Sequence, residues 1–224
     1  MIIKSIQIGT PQSHGNEGAT NAMDKPWTSG IWKSPVHDRL RVHKTQLEGD
    51  AQADLRVHGG PDKAICVYPA EHYPYWERTL NLTLPFGGFG ENFTTQGLAE
   101  EDVYIGDIFR AGTALIQITQ PRQPCWKLAR RWRIQDLPAQ VLKNGRTGWY
   151  FRVVEPGEVQ AGDSLSLEDR QAQSLSVAEA NMTMHHNKSN AEAAQRLAEQ
   201  TGLSESWKES LTRRVEKLAA NPPS

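Results

Sequence analysis

Short stretches of alternating apolar and polar residues dominate the first three-quarters of the chain. Ile2–Ile8 alternates in this way and ends at Gly9, which is the pattern of a half-buried strand. Similar runs predict five more strands, at Ala64–Tyr68, Asp107–Ala111, Ala114–Thr119, Trp149–Val154 and Ser164–Leu167. Many short strands joined by turns that contain Gly or Pro predict a mainly β fold, either an antiparallel sandwich or a closed barrel.

Two stretches with helical spacing interrupt this pattern, at Glu71–Thr79 and Cys125–Trp132. Pro124 suits the first position of a helix, where its missing N–H costs nothing, so we expect Cys125 on the first helical turn. The long segment Gln12–Trp32 is rich in Gly, Asn and Ser. We expect it to be the least ordered part of the chain, since such long loops are usually functional or mobile.

The pattern becomes helical after about residue 170. Ser176 and Glu179 have the spacing of a capping box, and helical periodicity then continues through Met184, over residues 190–200 and over residues 205–219. We therefore predict a β domain over residues 1–170 and a C-terminal extension of three helices over residues 171–224. These helices should pack together or against the β domain.

Composition and charge exclude several classes of protein. The 25 Lys and Arg residues nearly balance the 26 Asp and Glu residues, so there is no basic field for nucleic acid or an anionic membrane. The amino terminus lacks the apolar stretch of a signal peptide, and no run of about 18 apolar residues predicts a membrane span. The two cysteines form no CxxC pair, which excludes a disulfide framework and a cysteine-based zinc site. We expect a soluble cytoplasmic protein.

Cys125 is the strongest single candidate for chemistry. A thiol at the start of a helix faces the positive end of the helix dipole, which favours the thiolate, and Arg122 adds positive charge. A thiolate binds a soft metal or attacks an electrophile. The alternative, a small buried apolar side chain, is the common role of a free cysteine and stays open on these features alone. Cys66, inside an apolar run, has the better claim to that structural role.

A second candidate is the turn around Gly59-Gly60. The two glycines let the backbone turn tightly and approach a ligand closely, and Arg56, His58 and Lys63 surround the turn with donors that suit a phosphate. An ordinary polar β-turn fits the same residues. The Gly-Lys-Ser/Thr order of a P-loop is absent.

Two glycine-containing stretches further along are less specific. Phe86–Thr94 lacks the third glycine of a dinucleotide fingerprint, so we interpret it as a loop that presents Glu91, Asn92 and Thr94 to a ligand. In Lys143–Arg152 the pair Asn-Gly signals a turn that enters an aromatic-rich strand. Its arginines are able to reach a ligand, although surface arginines usually do nothing specific.

The pair His185-His186 resembles a metal site only superficially. Adjacent residues diverge by about 100° around a helix, so two such side chains do not readily bind one ion. We expect a packed or solvated pair.

Taken together, these clusters resemble the MOSC domain family. The resemblance rests on an ordered set of motifs: Asp54-Leu55-x-x-His58-Gly59-Gly60-x-Asp62-Lys63-Ala64, Phe89-Gly90-Glu91-Asn92-Phe93, Gly106-Asp107, Pro121-Arg122-x-Pro124-Cys125-x-Lys127-Leu128, and Thr147-Gly148-Trp149-Tyr150 followed by Arg152-Val153. A bacterial group of this family has a three-helix extension, so the resemblance covers nearly the whole chain. The ordered set of motifs is specific to the family, whereas no single motif is specific by itself.

The resemblance implies a closed, Greek-key-like β-barrel, with the helical extension following it. It also implies a molybdenum cofactor, molybdopterin, with Cys125 as the protein ligand of the metal. Activity in this group is the reduction of N-hydroxylated compounds, including hydroxylaminopurine base analogues, as a detoxification. From chemistry and motif position we add five cofactor contacts: Arg56, His58, Lys63, Asn92 and Arg122.

Such an enzyme needs a source of electrons and a cover for its cofactor. The sequence has no motif for a flavin, haem or iron–sulfur site, so electrons are expected from a separate reductase. The larger amidoxime reductases of the family have an additional amino-terminal β-barrel region that helps to enclose the cofactor. Here the segment Gln12–Trp32 and the helical extension would provide that cover.

Three hypotheses remain open at this stage. The first is a molybdenum-dependent reductase. The second is a non-catalytic cofactor-binding or sulfur-carrier module that uses Cys125. The third is a protein-interaction module built on the C-terminal helices.

Overall fold

The computed structural model describes residues 1–55 and 58–220, and the secondary structure is that of a sheet with helices at its margins. The strands are β1 Ile2–Ile8, β2 Gln12–His14, β3 Trp27–Ser29, β4 Ser34–Val36, β5 Leu40–Val42, β6 Ile65–Pro69, β7 Phe93–Gln96, β8 Ile108–Ala111, β9 Ala114–Pro121, β10 Trp149–Glu155, β11 Gly157–Val159 and β12 Leu165–Asp169. The α-helices are α1 Tyr73–Leu80, α2 Trp126–Trp132, α3 Leu137–Asn144, α4 Val177–Asn181, α5 Ala191–Ala198 and α6 Glu205–Ala220.

Eight of the strands form one sheet in the order β12-β8-β9-β10-β6-β7-β1-β4. Strands β6 and β7 pair in parallel, and the other neighbours are antiparallel. Two smaller sheets pair β2 with β3 and β5 with β11. All six strands predicted from the alternating pattern are confirmed, with ends shifted by one or two residues.

The strand β12 begins beside β1, although the two are far apart in the order of the sheet. Leu165 N donates to Met1 O at 2.9 Å, and an isolated antiparallel bridge pairs Ile2 with Ser164. In the described residues the continuous ladder still runs from β12 to β4 without closing. The structure thus confirms a sheet-dominated fold with several helices, and the closed Greek-key barrel stays a prediction.

The three-helix extension shares the core of the sheet. Val177, Leu197, Trp207 and Leu211 pack in the same buried cluster as strand residues such as Phe151. The predicted capping box is present, with Ser176 Oγ accepting from Glu179 N and the Glu179 carboxylate accepting from Ser176 N. The extension therefore packs against the β domain, which was one of the two arrangements expected.

A second, aromatic core holds α1, α2 and α3. Trp76 of α1, Leu128 of α2 and Leu137 of α3 are fully buried there with Tyr68 and Phe89. The rings of Tyr68 and Phe89 stack with their centroids 4.2 Å apart. Because Phe89 and α2 share this core, the glycine-rich loop and the start of α2 are held side by side.

The segment Gln12–Trp32 has more structure than its composition predicts. It contains the hairpin of β2 and β3, and the rings of His14 and Trp32 stack at 3.6 Å. Arg130 of α2 also holds the segment, since its Nη1 donates to Lys25 O at 3.1 Å. The sequence did not predict this hairpin, because the contacts between its strands and rings join residues that are not neighbours along the segment.

The Asn144-Gly145 pair ends helix α3 rather than forming a hairpin turn. Helix α3 was not predicted, and Gly145 is its C-cap with a φ of 73°, in the left-handed region that glycine tolerates. Asn-Gly serves both turns and helix ends, so the pair alone does not separate the two. The strand β10 follows after it, as expected.

Candidate functional site

One cleft, which we call the first cleft, collects most of the candidate side chains. Its volume is about 620 Å³, including the solvent-filled opening. Strands β6 and β10 contribute Cys66 and Tyr150, and α2 contributes Lys127. Most of the remaining lining residues lie in loops, including the loop that precedes α2.

Five of the six residues predicted from the sequence line the first cleft: His58, Lys63, Asn92, Arg122 and Cys125. They come from three segments that are far apart along the chain. The motifs gave only the order of these segments, and the fold brings them together. Arg56, the sixth, lies outside the described residues.

Cys125 is the N-cap of α2 and not, as expected, part of its first turn. Its backbone is extended, with φ −119° and ψ 171°, while its carbonyl already accepts from Leu128 N at 3.0 Å. Sequence patterns do not place a helix start to within one residue, which explains the correction. The side chain makes no capping bond to the helix, and its Sγ lies 3.8 Å from His58 Nε2.

His58 faces a cationic environment. Burial, and then the positive charges of Lys127, Lys63 and Arg122, lower the pKa of His58 from 6.5 to about 4. The imidazole is therefore neutral at pH 7 and has one N–H and one free lone pair. A neutral ring beside Sγ is able either to donate to a thiolate or to accept from a thiol.

Arg122 is buried behind Cys125 and only partly satisfied. Its backbone N donates to Gly148 O at 3.0 Å, and its Nη2 donates to Phe89 O. Its Nη1 is buried and has no partner among the described residues. An unpaired buried guanidinium nitrogen is costly, and the Tyr150 phenol interacts with this guanidinium without giving Nη1 a partner, so Nη1 keeps capacity for an acceptor from a ligand.

Asn92 holds strands together at the base of the cleft. Its Oδ1 accepts from Cys66 N at 3.1 Å and its Nδ2 donates to Gln7 O at 3.3 Å. The amide is only 2% exposed. Two of the four hydrogen-bonding positions of this amide are thus used within the sheet, and one amide hydrogen and one Oδ1 lone pair remain for a ligand.

The loop around Asn92 does not present its other two polar residues as expected. Glu91 and Thr94 are fully buried, and the Glu91 carboxylate accepts from Gly87 N, Phe89 N and Thr94 Oγ1 at 2.7, 3.0 and 2.9 Å. The carboxylate therefore fixes the glycine-rich loop from inside. That role was missed because the backbone donors of a loop carry no sequence signal.

Several lining residues had not been predicted. Lys33 forms an almost fully buried ion pair with Asp50, and Lys127 and Tyr150 line the cleft opposite the turn of His58. Lys127 and Tyr150 lie inside the motifs quoted for the family resemblance, which is a signal that could have identified them. Lys33 lies in no motif, and only the fold places it here.

The two cysteines share the first cleft. Burial raises the pKa of the Cys66 thiol from 9.0 to about 11, so this side chain stays protonated. A protonated thiol is a poor metal ligand. Cys125 is the less buried of the two and has His58 beside it, which leaves it as the better ligand.

The remaining candidates do not line the first cleft. The Arg146 guanidinium stacks over the Tyr75 ring at 4.2 Å, and Arg152 pairs with Asp62 at 2.7 Å. His185 packs edge-on against Trp207, with ring centroids 6.1 Å apart. In the described residues no group of three or more His, Cys, Asp or Glu side chains is placed to hold a metal ion.

The structure combines a helix-flanked sheet with a cationic cleft around one half-buried thiol, and comparison with known families shows which class of protein has this combination. The profile of the MOSC domain matches residues 54–166, and that of the YiiM-like 3-alpha helix domain matches residues 175–218. The chain belongs to the MOSC domain family.

Relatives of similar sequence agree with this assignment. "Uncharacterized protein YflK" of Bacillus subtilis is 43% identical over 216 residues, which cover 96% of this chain and 95% of that protein. "Protein YiiM" of Escherichia coli is 42% identical over 201 residues, or 88% and 89% of the two chains. A protein named "Reductase" from Gibberella moniliformis is 35% identical over 148 residues, which cover 64% of this chain but only 26% of that protein.

Solved structures of relatives have the same fold. The crystal structure of YiiM from Geobacillus stearothermophilus superposes with a TM-score of 0.80 at 39% identity, covering 96% of this chain and 98% of that one. For YiiM from Escherichia coli the TM-score is 0.75 at 38% identity, with 86% and 91% covered. Within the described residues, no helix is long and apolar enough to cross a membrane.

Proposed function

We propose that the protein is a molybdenum-cofactor-dependent reductase of N-hydroxylated compounds, such as hydroxylaminopurine base analogues, and that it acts in detoxification in the cytoplasm. The observation that carries this proposal is the position of Cys125. Its thiol lies in a cleft whose ionisable lining is cationic or neutral, since none of the described lining residues is acidic. A thiolate among cations is the setting that a soft metal in an anionic cofactor requires.

The residues of the first cleft fit such a cofactor. Molybdopterin carries a phosphate, and Arg122 Nη1 is a buried donor that has no partner among the described residues. Lys63 and Lys127 add two further cations within the same lining, and Gly59 and Gly60 have φ values of 83° and 86° that let the backbone approach a ligand closely. We assign Arg122, Lys63, Lys127 and this turn to the cofactor's anionic groups.

Cys125 is the protein ligand that we assign to the metal, and His58 orients it. When bound, the cofactor supplies the two-electron redox chemistry. Reduction of an N–OH group to N–H consumes two electrons and two protons and releases one water. We assign Tyr150 as a donor to the substrate oxygen, because it lines both clefts with Cys125, and burial raises the pKa of its phenol so that Oη keeps its proton at neutral pH.

The electrons come, in this proposal, from a separate reductase protein. The Gibberella protein named "Reductase" supports this arrangement, because the region similar to this chain makes up only 26% of its length. That protein is thus long enough to include further domains beside the shared one. We propose no contact with nucleic acid or a membrane, in keeping with the balanced charge.

The test is Cys125→Ser in protein purified from cells that make the cofactor. We expect the variant to lose bound molybdenum and the reduction of N-hydroxylated substrates with a competent electron donor, while its thermal unfolding stays close to that of the wild type. Cys66→Ala is the matched control, since it removes the protonated thiol of the same cleft, and it should retain molybdenum. Full metal content and activity in Cys125→Ser would contradict the proposal.

The second candidate is a carrier module that binds the cofactor, or uses Cys125 as a persulfide, without reducing a substrate. The approach of His58 Nε2 to Sγ at 3.8 Å also suits a reactive thiol. Stoichiometric cofactor binding without turnover, measured with a competent donor and several N-hydroxylated substrates, would favour it. A protein-interaction role for the helices is less well supported, because their apolar faces are already buried against the sheet.

A further inference from the structure

A second cleft adjoins the first at Cys125. Its volume is about 1020 Å³, including the solvent-filled opening. The two clefts share five lining residues: His58, Lys63, Gln123, Cys125 and Tyr150. A ligand in the second cleft would therefore reach the Cys125 thiol from a different side than a cofactor bound in the first cleft.

The outer wall of the second cleft is built by the helical extension. Helix α6 contributes Ser206, Trp207, Ser210 and Arg213, and Met184 comes from the turn that follows α4. Ser206, Ser210 and Arg213 are spaced i, i+4 and i+7, so they lie along one face of the helix. Two small hydroxyl residues followed by a guanidinium leave room along this face and place a cation at its far end.

The start of α6 is fixed to the strands of the site. Ser204 Oγ donates to Gln120 Oε1 at 2.6 Å, and Gln120 on β9 is paired in register with Tyr150 on β10. Glu205 N donates to Asp62 Oδ2 at 3.0 Å. From this anchored end, Arg213 lies nine residues further along the helix, which is about 13 Å at the usual rise.

The chemistry of the second cleft favours a ligand with an anionic end. None of its described lining residues is acidic. Trp207 is 2% exposed, and its Nε1 has no partner in the described part of the chain. Arg213 is exposed, and its Nε donates to its own helix at Glu209 O, which leaves the terminal nitrogens for a phosphate.

We propose that the second cleft is the substrate site, that it takes N-hydroxylated nucleotides in preference to the free bases, and that Arg213 binds their phosphate. The base lies towards Cys125 and Tyr150, and the phosphate lies at the far end of the α6 face. The helical extension is then the part of the protein that determines substrate specificity. This inference deepens the proposed function and rests on it for the chemistry, but nucleotide binding is measurable without any turnover.

The first experiment measures binding to the full-length protein prepared without cofactor. Adenosine monophosphate, adenosine and inorganic phosphate are titrated by isothermal calorimetry. We expect the monophosphate to bind about tenfold more tightly than adenosine, because of one charge-assisted contact. Arg213→Ala should remove that advantage, Arg213→Lys should retain part of it, and Arg196→Ala, an equal loss of charge on α5, should leave it unchanged.

Two binding results would overturn the inference. One is equal affinity for adenosine and its monophosphate in the wild type. The other is loss of the phosphate advantage in Lys127→Ala and not in Arg213→Ala, which would place the nucleotide in the first cleft. Arg213 is on the surface, so its replacement should not prevent folding.

The second experiment measures kinetics with the cofactor-loaded enzyme and N-hydroxylated adenine, its nucleoside and its monophosphate. We expect Arg213→Ala to raise KM for the monophosphate about tenfold, with kcat and the KM for the base unchanged. Reduction of all three substrates with equal KM, unaffected by Arg213→Ala, overturns the inference and leaves the proposed reductase intact. Nucleotide binding that depends on Arg213, without reduction of any of the three substrates, would support the inference and contradict the proposed reductase.

Discussion

Cys125 and Cys66 line the same cleft but differ in what they can do. Burial raises the pKa of Cys66 to about 11, whereas Cys125 caps α2 with its Sγ 3.8 Å from a neutral imidazole. The motif around residue 125 predicts the metal-binding thiol, and the apolar run around residue 66 predicts a structural cysteine. The sequence did not indicate that both would face one site, because β6 and the start of α2 meet only through the fold.

Arg122 provides a prediction for a single side chain. Arg122→Met should destabilise the fold by about 1–3 kcal/mol, because Phe89 O loses its buried donor, and should also lower cofactor retention. Urea unfolding and molybdenum content measure the two effects. Arg39→Met, on an exposed residue, is the control for both. If Arg122→Met holds the cofactor as well as the wild type does, Arg122 does not contact it.

A pH dependence of stability follows from His185. Burial, with His186, Lys188 and Arg214 nearby, lowers the pKa of His185 from 6.5 to about 4. Between these pH values the unfolded chain binds a proton that the folded protein does not, so stability is complete above about pH 6.5 and falls as the pH drops towards 4. His58 is shifted in the same direction and adds to the same fall.

His185→Gln should make this fall less steep, and urea unfolding at several pH values between 4 and 7 measures it. His43→Gln removes an exposed ring elsewhere and serves as the matched control. An unchanged slope in His185→Gln would show that this ring is not held neutral by the fold.

At the scale of elements, the helical extension is a wall of the second cleft and part of the core. Its helices were predictable because a capping box and apolar spacing are local signals, and the same is true of the alternating strands. The hairpin of β2 and β3 and the buried pair Lys33–Asp50 were not predicted, because each pairs residues that are not neighbours in sequence and no local pattern records such pairing. Helix α3 was missed although Pro138 near its start and Gly145 at its end are local signals.

Gly202 tests how closely the extension must approach the sheet. A Cβ added at Gly202 would lie 2.3 Å from Gly106 Cα, a backbone atom that cannot give way easily. Gly202→Ala should therefore destabilise the protein by about 1–3 kcal/mol and shift α6 away from Gln120. Gly18→Ala, which meets nothing within 4 Å, tests the smaller effect of a strained φ alone. Urea unfolding measures both variants, and an undiminished stability of Gly202→Ala would contradict close packing at Gly202.

At the scale of the whole molecule, the sheet and the helical extension should unfold together. The sequence favoured a division near residue 170, but residues on both sides of it share one buried cluster. We expect a single calorimetric transition whose van't Hoff and calorimetric enthalpies agree. Two resolved transitions would show that the extension is a separate folding unit, and the second cleft would then lie between units able to move independently.

The central claim is that Cys125 is a ligand of molybdenum, and X-ray absorption at the molybdenum edge tests it most directly. The cofactor has its own dithiolene sulfurs. The measurement therefore asks whether molybdenum has a further sulfur neighbour in wild-type protein loaded with the cofactor. The account predicts one additional sulfur neighbour, contributed by Cys125. A metal surrounded by the dithiolene sulfurs and oxygen alone would contradict it.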